Sequence, residues 1–136
     1  MKRYSKILAA LLAVLVLCGC AKGNVDNVSR TIGDSVLYTD AEIGRAMDVV
    51  TDFFKKNFQG CTLTEIVYDE AFSVKRGALE AQQFGAEEAI VLLSSFDVDA
   101  SGGEGNLEPN STYTRYQWTL TRSKGGKWIL QTWGYG

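Results

Sequence analysis

An α+β fold follows from three observations on the 136-residue chain. A long stretch with helical spacing of apolar residues precedes every strand-like segment. Three of those segments then follow one another with no helix between them, and a Gly-Gly pair joins the last two. Successive strands of this kind pair antiparallel, which predicts a four-stranded, mainly antiparallel sheet with its helices on one face.

The elements follow in order. Residues 21–37 are mixed and polar with little periodicity and read as a tether. Thr39 and Glu42 form a capping box, and Ile43, Ala46, Met47, Val50, Phe53, Phe54 and Phe58 follow at helical spacing. This predicts a long first helix over residues 40–58, stopped by Gly60. Residues 61–68, rich in Thr, Ile, Val and Tyr, read as a strand. A shorter helix is expected over 75–86, weakened by Gly77 and Gly85. The apolar run Glu88 to Asp97 reads as a central strand. Residues 111–122 alternate as a strand does, Ser123-Lys124-Gly125-Gly126 turns the chain, and KWILQTWGYG makes the closing strand.

This order resembles the cone-shaped nuclear transport factor two-like or cystatin-like folds, in which a curved sheet wraps a long N-terminal helix. The phrases FQGCTLTEIVYDE, IVLLSSFDVDASGGEG and NSTYTRYQW, with the WGYG ending, are similar to a family of uncharacterised bacterial lipoproteins of the Gram-positive gut type. The similarity spans roughly residues 38–136. It implies a nuclear transport factor two-like domain and carries over no catalytic residue.

The first twenty residues point to a location. A basic start, MKRYSK, is followed by the apolar run Ile7 to Leu17, the layout of a secretory signal. That run falls short of the ~20 residues that cross a bilayer. It ends in Leu17-Cys18-Gly19-Cys20, which resembles the lipobox of bacterial lipoproteins. Cys20, preceded by the small Gly19, fits the acylated position, whereas Cys18 follows the bulkier Leu17. The expected organisation is a signal peptide over 1–19, a lipidated N-terminus and flexible tether over 20–37, and one α+β domain over 38–136. The protein would then be held by its acyl chains on the extracytoplasmic face of the cell membrane.

Composition excludes several functions. The chain carries 14 Lys and Arg against 16 Asp and Glu. Cleavage after residue 19 removes Lys2, Arg3 and Lys6 and leaves a net charge of −5, a poor match to nucleic acid. With no histidine, His-based triads and the usual zinc sites are ruled out. With Cys20 acylated, Cys61 is the one free thiol left in the mature chain, which suits a buried structural cysteine.

Two groups of residues stand out as candidate sites. In DVDASGGEGNLE, Asp97, Asp99, Ser101, the Gly103 carbonyl and Glu108 have the spacing of a calcium loop. Its flanks read as strands and Glu104 takes a position usually apolar, so a polar turn at the sheet edge, with Asp97 still on the strand, competes with calcium. On the 111–122 strand, strict alternation puts Tyr113, Arg115 and Gln117 on one face, where a curved sheet would enclose a ligand. The expected function is a non-enzymatic module for a small ligand or a protein. The alternatives are a carboxylate- and tyrosine-based hydrolase or isomerase, and a calcium-stabilised interaction domain.

Overall fold

The computed structural model describes residues 22–135; the expected signal peptide 1–19 and the acylation candidate Cys20 lie outside them. The first helix, α1 (Asp40–Asn57), opens on the expected capping box. The Thr39 hydroxyl accepts from the Glu42 amide, and the Glu42 carboxylate accepts from the Thr39 amide. Ile43, Ala46, Met47, Val50 and Phe54 form its buried stripe. In the turn that follows, Gly60 has φ +73°. A β-carbon there would press on the Asp99 carboxylate and the Ser101 hydroxyl, so glycine alone fits the corner.

Five strands lie side by side in chain order: β1 (Ser29–Ile32), β2 (Cys61–Tyr68), β3 (Glu88–Val98), β4 (Thr112–Arg122) and β5 (Ile129–Gly134). The pairs from β2 to β5 are antiparallel. β1 runs parallel to β2, with α1 as the crossover. The sheet is therefore mixed and five-stranded, where the sequence suggested four strands. The extra strand falls in the segment read as a tether. Ser-Arg-Thr-Ile is mostly exposed and finds its partner only beyond α1, so no local pattern announces it. The strap begins earlier still. The Gly23 amide donates to the Lys55 carbonyl (3.0 Å), and Asn24 and β2 exchange bonds through Cys61 and Leu63.

The second helix, α2 (Glu70–Phe84), starts at residue 70 instead of 75, because Asp69 caps it by accepting from the Phe72 amide. It does not share a face with α1. The α1 stripe packs on Ile90, Leu92 and Trp118. α2 meets the intervening residues: Gly77 lies on the Ala89 backbone, Ser73 Oγ accepts from the Val91 amide (3.0 Å), and Phe72 and Arg76 flank Gln117. Side chains alternate across a strand, so the two helices cover opposite faces.

Trp118 lies fully buried in the α1-side core, its ring against Phe53, Phe54 and Phe58. Its Nε1 donates to Ser94 Oγ at 2.7 Å, which satisfies the indole's one polar atom. At the start of α1, the Arg122 side chain is only 4% exposed. It pairs with Glu42 and with Glu88 (2.9 Å), and its guanidinium lies 4.1 Å over the Trp128 ring. Trp128 Nε1 in turn donates to the Glu42 carbonyl at 3.0 Å.

The hydrogen bond from Arg122 pulls the Glu42 carboxyl from its ordinary 4.5 down to about 2, helped by the Thr39 amide. A carboxyl whose pKa is lowered on folding stabilises above its unfolded value and loses that contribution as pH falls. Denaturant midpoints should therefore decline as pH drops from 5 toward 2, and Arg122→Met should decline less over that window. An equal decline in both proteins would show that Arg122 is not the source.

Candidate functional site

β4 outruns α1. Eleven strand residues rise about 37 Å, whereas eighteen helical residues rise about 27 Å. The Arg122 cage aligns the two elements at one end, so the excess appears at the other. There the aromatic face of the sheet continues past the last turn of α1, and a cleft of about 380 Å³ opens between them.

Phe53, Phe58, Tyr116 and Trp133 wall this cleft. The Phe53 and Trp133 rings lie 4.5 Å apart, and Phe58 lies 6.2 Å from Tyr116. Asn57, Gln59 and Asn106 add side-chain amides toward solvent, and Leu107 also lines the space. Tyr135 extends the aromatic surface outward, 5.4 Å from Tyr116, with its hydroxyl donating to the Thr114 carbonyl. Trp133 and Tyr135 remain 44% and 60% exposed.

Two ionisable groups line the cleft, and both are shifted toward their neutral forms. Burial pushes the Cys61 thiol up to about 11, with the nearby Asp99 charge adding to the effect. Burial also raises Tyr116. A thiol held that high is not a nucleophile near neutral pH. The lining contains no carboxylate.

The expected trio of Tyr113, Arg115 and Gln117 is not assembled. Pairing of β3 with β4 shifts between Ser94 and Phe96, so Thr114 and Arg115 oppose the single residue Ser95. Arg115 takes φ +54° at this bulge. The extra residue returns Tyr113 to the α1 face, where it stacks on Phe96 at 5.0 Å. Arg115 stays on the α2 face, 5.4 Å over the Phe72 ring. Gln117 borders α2 beside Arg76, whose buried Nε has no hydrogen-bond partner among the described residues. Strict alternation predicts the wrong face for Tyr113 because a bulge leaves no clear mark in the sequence.

The acidic loop keeps Asp97 on β3, as the sequence suggested. Asp97 Oδ1 accepts from Thr112 Oγ1 across the strand pair (2.7 Å), and Asp99 Oδ1 accepts from the Ser101 amide (2.8 Å) and hydroxyl. Hydrogen bonds from Ser101 hold the Asp99 carboxyl below its usual value. Gly102, Gly103, Glu104 and Gly105 all have positive φ, forming a short left-handed turn (Gly102–Gly105) in place of the calcium-loop course. Among the described residues, no group of three or more Asp, Glu, Cys or His converges as metal ligands. Asp97, Asp99 and Glu108 thus do not converge as a carboxylate set, and the Ser101 hydroxyl is spent on Asp99.

A wider groove of about 560 Å³ lies at the other end, beside Arg45, Asp48, Lys127 and the Gly125-Gly126 turn. Its aromatic member, Trp128, is already committed to Arg122. Compared with known proteins, the chain matches no family model, no curated protein and no solved structure.

The loop geometry predicts that millimolar calcium leaves the thermal midpoint unchanged. A rise that disappears in Asp97→Ala would contradict it.

Proposed function

We propose that the chain is a lipid-anchored extracytoplasmic protein whose domain binds a small neutral ligand, without chemistry, in the aromatic cleft. The observation that carries the binding reading is the composition of the cleft: four aromatic walls, a rim of amides, and no charged side chain. Flat apolar walls with a few polar groups at the edge suit a ring-shaped ligand bearing hydroxyl or amide groups. The raised Cys61 and Tyr116 and the lack of a carboxylate speak for binding over hydrolysis or isomerisation. The lipobox-like Leu17-Cys18-Gly19-Cys20 supports acylation of Cys20. The nuclear transport factor two-like likeness remains a reading of residues 38–136, consistent with a long helix lying on an antiparallel-rich sheet.

Indole and methyl glucoside at millimolar concentration are suitable first probes, followed by NMR through the Trp133 indole and the Asn106 amide. The expected result is a saturable shift at both positions for at least one probe. Trp133→Ala should weaken that binding by about 1 kcal/mol, roughly fivefold in Kd. Shifts confined to other surfaces, or none at either position, would refute the cleft as the ligand site. Mass spectrometry of the membrane fraction tests the anchor, with diacyl or triacyl mass on Cys20 expected.

A further inference from the structure

We propose that the end of the domain formed by the last turn of α1, the 102–107 turn and the aromatic mouth of the cleft is a membrane-seating surface, apposed to the lipid headgroups. This rests on the acylation of Cys20 proposed above. Among the described residues, the segment expected to act as a tether is folded against the domain. Its chain is bonded into the domain from Gly23 onward, through the Lys55 carbonyl in the last turn of α1 and then through Cys61 and Leu63 of β2. Gly23 is buried, and a β-carbon there would collide with the Phe54 and Phe58 carbonyls, so this attachment admits little movement.

The reach of the lipid follows from covalent geometry. Three residue steps separate Cys20 from Gly23, and at ~3.6 Å per step they span at most about 11 Å. The headgroup region is itself about 5–7 Å deep in each leaflet. Acyl chains buried below that region therefore hold the C-terminal end of α1 within a few ångström of the bilayer surface. The opposite end, at the Ser123–Gly126 hairpin, lies the length of β4 away, about 37 Å.

The chemistry of this end suits a neutral interface. Exposed Trp133 and Tyr135 are the amphipathic rings that favour headgroup depth. Lys22, Lys55 and Lys56 are exposed near the attachment, while Asp97, Asp99, Glu104 and Glu108 are exposed around the 102–107 turn. With three cations and four anions, the surface has no strong charge preference. Seating should then need no anionic lipid and should persist at high salt. The cleft shares this end, so a ligand reaches it at the level of the headgroups.

The test uses the full acylated chain in phosphatidylcholine vesicles containing a headgroup spin-labelled lipid. A fluorophore is placed at Lys56→Cys or at Lys124→Cys; Cys61 is 2% exposed and escapes labelling. The expected result is several-fold stronger quenching at position 56 than at 124, unchanged by added salt. Equal quenching at both positions on a vesicle-bound, acylated chain would overturn the seating surface and leave the anchor standing. An unquenched position-56 label showing energy transfer between copies would assign the face to a second copy instead. A chain with no acyl mass on Cys20 that stays in solution would overturn the anchor reading, and this proposal with it.

Discussion

The packing of α1 on the indole of Trp118 is the contact on which the rest of the architecture depends. Phe53, Phe54 and Phe58 fall within two turns at the end of one helix, and all three rings meet Trp118. Phe96 and Tyr116 complete the group on the sheet side. Rings of this size leave few ways to interlock, so helix position and sheet register constrain each other. The hydrogen bond from Trp118 to Ser94 adds a polar pin between β3 and β4 at the same depth. The indole cannot rotate or slide without leaving a buried donor unpaired.

From that contact the two ends of the domain diverge. One end is closed by a buried cation. Arg122 joins the start of α1 to the ends of β3 and β4, and two aromatic rings cover its guanidinium. Glu70 serves a similar purpose nearby, gathering the Ser35 hydroxyl and the Val36 and Leu37 amides, and those bonds lower its pKa. The other end has no such closure. The helix stops while the aromatic sheet face continues, and the difference in length becomes the cleft. Its placement beside the bonded Gly23–Asn24 segment puts the proposed ligand site and the proposed lipid anchor at one end of the molecule.

Much of this was legible in the residues because its signals are local. The capping box, the helical stripe of α1, the Gly-Gly hairpin and the apolar run of β3 each lie within about a dozen neighbours. What escaped reading depends on partners distant in the chain. β1 has four mostly exposed residues and becomes a strand only against β2. Asp69 follows β2 directly, and its role as the cap of α2 shows only when its carboxylate meets the Phe72 amide. The placement of α2 on the second face follows from Ser73 and Gly77, small residues that admit close approach to β3 but carry no hydrophobic stripe. The cleft residues Phe53, Phe58, Tyr116 and Trp133 are visible in the sequence as aromatics, with nothing local to set them apart from core rings. Only the mismatch of helix and strand length separates lining from core.

The central claim is that the bulge at Arg115 turns Tyr113 onto the α1 face and so builds the aromatic end of the domain. Its most direct measurement is the set of ring-to-ring nuclear Overhauser effects of Tyr113. The account predicts contacts from Tyr113 to Phe96 and to Tyr135, whose ring centroids lie 5.0 and 6.2 Å away. Contacts from Tyr113 to Phe72 of α2, with none to Phe96, would mean uninterrupted alternation along β4 and would contradict it.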